Sequence, residues 1–251
     1  HLKRPYGDYS ELGLLTKTYA TDWSWSVLLE DFDNDGKNDI FVSNGIAKRP
    51  NDLDYINYLS DSNFSSFVQT KQNEMKEKLI KQMPELKIPN MLFKNKGMLD
   101  FGEINESFIG DPSYSNGSTY SDLDNDGDLD LILNNINSKA TILENKTPLE
   151  NKSLVVELID KMPIKGSRVT VYKSDKKLET KEAVTTRGFQ SSSSHKLHFG
   201  LGKSNVDSIK VRWVDGTVQI EKDFPNYRIK ILKKDKEFEK KRDNKKNKFS
   251  L

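Results

Sequence analysis

The chain has 251 residues, of which 34% are hydrophobic, 31% charged and 10% aromatic, with no cysteine and a net charge of +2. This balance excludes a disulfide framework and a thiolate metal site, and the aromatic content argues against wholesale disorder. No apolar run approaches the length of a membrane span, so no transmembrane segment is expected.

The chain opens His1-Leu2-Lys3-Arg4, with neither Met nor an apolar leader, and reads as a processed, tagged or truncated start. Trp25 to Leu29 is the first strand candidate. It leads into Asp31-Phe32-Asp33-Asn34-Asp35-Gly36-Lys37-Asn38-Asp39, and the β-prone run Ile40-Phe41-Val42-Ser43-Asn44 follows at once. Residues from about 47 to 89 read as a helical insertion. Leu53, Ile56 and Leu59 form a short apolar stripe, with Asn51 as candidate cap. Phe64, Phe67, Val68, Met75, Leu79 and Met83 form a longer stripe, which Pro84 ends. Such stripes suit a helical pair packed on the rim of a sheet.

Met91 to Asn95 is the next strand. Gly117 to Ser121 precedes a second acidic segment, Asp122-Leu123-Asp124-Asn125-Asp126-Gly127-Asp128-Leu129-Asp130, which runs into Leu131–Asn135 and then Thr141–Asn145. The segment is therefore an internal repeat. With the insertion removed the period is about 50 residues, which suits one four-stranded propeller blade. Residues 1–149 are accordingly expected to be propeller blades.

After Pro148 the texture changes. Leu154–Ile159, Arg168–Tyr172, Leu178–Val184, Lys196–Phe199, Ile209–Trp213, Val218–Ile220 and Tyr227–Leu232 read as strands, and Asp215-Gly216 is a hairpin signal. Residues 150–232 are expected to form a small all-β, sandwich-like domain, so the chain is mainly β. The tail 233–251 carries 9 Lys/Arg against 4 Asp/Glu. Such a run can attract nucleic acid or anionic lipid, but solvated termini commonly look the same. No basic face with stacking aromatics accompanies it, so no nucleic-acid partner is expected.

The acidic repeat has a direct physical rationale. Calcium takes about six to eight oxygens, and alternate residues of a tight loop can turn their carboxylates inward, with Gly at the sixth position permitting the bend. The expected ligands are Asp31, Asp33, Asp35, Asp39 and the Lys37 carbonyl in the first loop, with Gly36 at the turn. In the second they are Asp122, Asp124, Asp126, Asp130 and the Asp128 carbonyl, with Gly127 at the turn. Converging carboxylates repel one another without a cation. The competing reading is an Asp-rich solvated turn, which the recurrence of the pattern disfavours. An EF-hand is excluded, since its bidentate Glu would fall where Val42 and Leu133 stand and its helices would fall where strands are expected.

The loops and their strands resemble FG-GAP/VCBS repeats, the calcium-loop blades of integrin-α-like β-propellers. The region from about Asn151 to Leu232 resembles the ASPIC/UnbV domain, also found in cartilage acidic protein. Gly166-Ser167-Arg168-Val169, Arg187-Gly188-Phe189-Gln190-Ser191, His198-Phe199-Gly200-Leu201-Gly202 and Val211-Arg212-Trp213-Val214-Asp215-Gly216 carry that likeness, although the domain usually has Pro where Val214 stands. The Pro50-to-Ile56 stretch is similar to insertions in large surface lipoproteins of Bacteroidota. The resemblance implies a propeller, two Ca2+ sites, and an extracellular or bacterial outer-membrane location, with no established reaction.

An enzyme would need a catalytic set. Ser191 to Ser194 lie beside His195 and near His198, but neighbours on one strand or turn rarely converge as a Ser–His pair. Ser191 and His198 are read as structural. A binding or scaffolding role uses the same features more fully, because ion-locked loops give a rigid surface. The alternative is a glycan-binding or glycan-processing component, with Trp23, Tyr55, Tyr58 and Tyr114 as stacking platforms. Two blades leave unpaired edges, so blades N-terminal to His1 or a protein partner are expected to cover them.

Overall fold

Alternation of apolar and polar residues builds two small antiparallel meanders, followed by a pair of facing sheets. The computed structural model describes residues 2–4, 6–60, 77, 79–103, 110–146, 150–222, 224 and 227–234. A short pair, β1 (Leu2–Lys3) and β2 (Tyr9–Ser10), and one helical turn, α1 (Gly13–Thr16), come first. The first meander holds β3 (Ser24–Glu30), β4 (Asp39–Asn44), β5 (Met91–Gly97) and β6 (Asp100–Glu103) in that order, with helix α2 (Leu53–Ser60) in the β4–β5 connection. The second holds β7 (Ser115–Ser121), β8 (Asp130–Asn135) and β9 (Thr141–Leu143).

The repeat seen in the sequence extends to backbone register. Glu30 pairs with Asp39 across the first hairpin, and Ser121 with Asp130 across the second. The ladder irregularity between Ser24 and Val27 recurs between Ser115 and Ser118. Period-two alternation puts Leu28, Phe41 and Leu92 on one face of the first sheet. Tyr120, Leu131 and Leu133 meet them from the second, and Phe32 and Leu129 join the same core from the acidic loops. The other face of β3 presents Val27 and Leu29 to solvent, 56% and 55% exposed.

The C-terminal domain contains β10 (Lys152–Ile159), β11 (Arg168–Lys173), β12 (Lys176–Glu182), β13 (Leu197–Gly202), β14 (Ser208–Arg212), β15 (Val218–Lys222) and β16 (Arg228–Leu232). One sheet has the order β13-β10-β16, with β10 and β16 parallel; the other runs β12-β11-β14-β15. Residues from both sheets share one core, among them Leu154, Val156, Val169, Val171, Phe199, Ile209, Val211 and Ile231, with Trp213 beside them. The two sheets thus pack on one shared core.

β13 is buried along its whole length. Leu197, Phe199 and Leu201 enter the sandwich core, while the alternating His198, Gly200 and Gly202 face the acidic loops. The Arg187–Ser191 segment is a second contact between the modules. Phe189 stacks near Trp25 at 4.7 Å between ring centroids, and its N–H donates to Ser26 Oγ. A Cβ on Gly188 would lie 2.7 Å from the Ser118 carbonyl oxygen, so the small residues of β3 and β7 make room for this wedge.

The structure departs from expectation in several places. β6 follows Met98 and Leu99, both at positive φ (52° and 65°). That hairpin turn normally advertises itself with Asn-Gly or Asp-Gly, and here it does not. Asp52, rather than Asn51, caps α2, its Oδ1 accepting the Tyr55 N–H at 3.0 Å. Of the longer stripe, Leu79 lies in a helical stretch at residues 79–82, whereas Phe64, Phe67, Val68 and Met75 lie outside the described residues, as does the tail from 235 onward. No described helix is long and apolar enough to cross a membrane. The described sheets are small and open, and none closes on itself.

Candidate metal centre

The two acidic loops connect β3 to β4 and β7 to β8. Each has Asn at the fourth position and Gly at the sixth in left-handed conformations: Asn34 at 58° and Gly36 at 90°, Asn125 at 68° and Gly127 at 103°. This geometry turns successive backbone N–H groups and carboxylates toward the loop interior.

In the first loop, carboxylate oxygens of Asp31, Asp33 and Asp39 all lie within 4.8 Å of one another. Asp31 accepts the Asp35 and Gly36 N–H groups at 3.0 and 2.7 Å. Asp39 accepts Phe32 N–H at 3.2 Å and Asn95 N–H at 2.8 Å, so it ties the loop to β5. Asp35 turns aside to Lys37, whose backbone N–H and Nζ both reach it. Lys94 pairs with Asp33. Burial pushes Asp31 up to about 8 against the pull of the Gly36 N–H, and Asp33, Asp35 and Asp39 add to the rise. Burial likewise raises Asp39 to about 6.

In the second loop, Asp122, Asp124 and Asp126 converge within the same 4.8 Å. Asp130 repeats the role of Asp39, accepting Leu123 N–H at 2.8 Å and Asn145 N–H at 2.9 Å. Asp128 stands where the first loop has Lys37. Its side chain is buried, 1% exposed, and neither carboxylate oxygen meets a hydrogen-bond donor, its neighbour being the carboxyl of Asp126; Asp122 Oδ1 is likewise buried without a donor. Burial raises Asp128 to about 8, with Asp126, Asp130 and Asp124 contributing in that order. Buried unpaired carboxylates are costly, and a divalent cation is the simplest group that removes the cost. The donors are all oxygen, which fits a hard cation such as calcium.

Sequence reasoning missed the second layer around these loops. Arg228, on β16, pairs with Asp122 and donates to Asn125 Oδ1 at 3.1 Å. The Gly127 carbonyl accepts Asn34 Nδ2 at 3.0 Å, Ser153 Oγ at 2.6 Å and His198 Nε2 at 3.2 Å. Asn145 donates to the carbonyls of Phe32 and Leu129, linking the two loops, and Asn151 donates to the Asp33 carbonyl. The repeat does hold a signal for Asn95 and Asn145, which stand at equivalent places after their loops and donate their N–H groups to Asp39 and Asp130. Nothing in the sequence marks Arg228 or Ser153.

The serines and histidines do not form a catalytic pair among the contacts described. Ser191 Oγ donates to the Phe189 carbonyl, Ser193 shares a hydrogen bond with Thr119, and His195 pairs with Glu157. The aromatics expected as sugar platforms differ in exposure. Tyr55 is buried with its hydroxyl donating to the Leu79 carbonyl, Trp23 and Tyr114 are half-buried, and Tyr58 is exposed.

His198 yields a pH prediction. Burial lowers its ring from 6.5 to about 4, so it is neutral and its Nε2–H faces the Gly127 carbonyl. The unfolded chain takes up a proton below pH 6.5 while the folded chain does not until about pH 4. The contribution of this one group to stability is therefore expected to fall across that window on acidification, by roughly 3 kcal/mol at most, while the raised carboxyls of Asp31, Asp39 and Asp128 act in the opposite sense. His198→Gln keeps an amide donor and removes the titration. In thermal melts of both proteins from pH 7 to pH 4, the variant should gain stability relative to wild type as the pH falls; a difference that stays constant with pH would contradict the assignment.

Two likenesses to known proteins accompany this geometry. Cartilage acidic protein 1 of Xenopus tropicalis is 30% identical to this chain over 122 residues. That alignment covers 46% of this chain and 19% of the relative, so the chain spans only a small part of the curated protein it matches. Residues 161–238, from just after β10 through β16 and into the tail, match the family model described as ASPIC and UnbV.

Proposed function

We propose that this chain is a calcium-stabilised binding or scaffolding module of a larger extracellular or cell-surface protein. Its two meanders serve as consecutive blades of a β-propeller, and the C-terminal domain packs against their loops. The observation that carries this reading is the duplicated acidic loop: two hairpins in the same register, each converging three carboxylates, the second with buried carboxylate oxygens that meet no hydrogen-bond donor. The likeness to a cartilage protein favours an extracellular setting, where calcium is abundant enough for all-carboxylate loops of modest affinity. The exposed Val27 and Leu29 on the outer face of β3 suit a neighbouring blade or a protein partner. The module has no catalytic role in this reading, since its clustered carboxylates are committed to ions.

Isothermal titration with calcium tests the reading. The wild-type chain should bind two ions. Asp33→Ala and Asp124→Ala should each leave one. A flat titration, with both variants indistinguishable from wild type, would overturn it.

A further inference from the structure

The His198–Gly202 segment and Arg228 lie in the C-terminal domain, yet their nearest polar business is with the acidic loops. Gly200 has ordinary backbone geometry, so conformational freedom does not explain a glycine there. Space does: a Cβ at this position would lie 1.7 Å from Asp31 Oδ2 and 2.9 Å from Asn34 Cα. The strand thus passes directly over the first carboxylate of the first loop. Two residues on, Gly202 N–H donates to the Asn34 carbonyl at 2.7 Å. The Asn34 side chain crosses to Gly127 of the second loop, where Ser153 and His198 of the C-terminal domain converge on the same carbonyl. Arg228 closes the far side of the second loop on Asp122, and a small cleft at this seam is lined by Tyr120, Asp122, Leu129, His198 and Arg228.

We infer that the two loops and the β13-β10-β16 sheet form one composite ion-binding unit, in which Gly200, Ser153, His198 and Arg228 are positioning residues for the ions, so that ion binding and docking of the C-terminal domain are coupled. The inference rests on the calcium reading above and goes beyond it. The carboxylates of an isolated loop must be gathered at a cost in repulsion and chain entropy. A strand pressed on Asp31 and three donors fixed on the Gly127 carbonyl hold the loops in place before the ion arrives. Reciprocally, an ion that fixes the loops fixes the surface on which β13 rests, as linkage requires. Asn34, which spans from one loop to the other, makes the two sites parts of the same unit.

Hydrogen–deuterium exchange on the full chain, with calcium and with chelator, reads this coupling. Calcium should slow exchange at residues 31–39 and 122–130 and also at 197–202, which supply no ligand. Two variants accompany it. Gly200→Ala forces Asp31 aside and should weaken calcium binding by roughly tenfold, within the usual range of coupling between sites. Ser153→Ala removes one donor without crowding the fold and should weaken it less, in the same direction. Protection of the loops with residues 197–202 unchanged, and calcium affinity unaltered in Ser153→Ala, would overturn the composite unit while leaving the calcium reading intact. No protection anywhere would overturn the calcium reading itself, and this inference with it.

Discussion

Calcium at about a hundred times its dissociation constant should raise the melting temperature of this chain by on the order of 10 °C, and excess chelator should reverse the gain. A ligand that binds only the folded state at that excess adds about 2.7 kcal/mol per site, so two sites add roughly 5 kcal/mol. The structure explains why the ion-free protein has this much to recover. Asp31 and Asp128 are each 1% exposed, and burial among neighbouring carboxylates raises both to about 8. Near neutral pH each loop either keeps a proton or suffers repulsion, and a bound cation relieves both. Asp33→Ala and Asp124→Ala should each abolish about half of the shift. Magnesium should give a smaller one, because it prefers octahedral geometry with retained waters. A melting temperature insensitive to calcium and chelator alike would contradict this account.

Breaking the buried ion pair between the modules should be the most damaging single change outside the loops. Lys181 on β12 reaches Glu30 at the end of β3, with Nζ 2.5 Å from Oε2. Both side chains are nearly inaccessible, 9% and 4% exposed. Tyr120 donates its hydroxyl to the other Glu30 oxygen at 2.5 Å. Burial and the Glu30 charge together push the Tyr120 phenol well above its ordinary value, so it remains a donor at any physiological pH. Lys181→Ala would strand the Glu30 carboxylate against Tyr120 without its counter-ion. Loss of one partner of such a pair costs about 3–5 kcal/mol. The double variant Glu30→Gln with Lys181→Met keeps an acceptor for Tyr120 and removes both charges, and should recover most of that loss. Urea unfolding of the three proteins measures it. A double variant as unstable as the sum of its singles would show that the pair does not act as a unit.

The mainly β character and most individual strands were legible because their signals are local. Alternation in Ile209-Lys210-Val211-Arg212 and the apolar runs after each acidic segment depend on period two, and the strands β4, β8 and β14 fall where those runs stand. The helical stripe of Leu53 and Ile56 likewise gave α2. β6 was not legible, because its turn is made by Met98 and Leu99 rather than by residues that favour positive φ. The acidic loops were legible as segments, but their surroundings were not. Ser153, His198 and Arg228 lie 26 to 106 positions from their loop partners, and long-range packing leaves no periodic trace in a sequence. Asp128 is instructive. Its position in the loop predicts a carbonyl role, while the burial of its side chain makes that side chain the more informative feature.

The central claim, that both loops hold calcium, is tested most directly by an anomalous difference map from a crystal grown in calcium. The account predicts two peaks, one among Asp31, Asp33, Asp35 and Asp39 and one among Asp122, Asp124, Asp126 and Asp130, each with oxygens at about 2.3–2.6 Å. A map without a peak in either loop, with Lys94 still on Asp33, would contradict it.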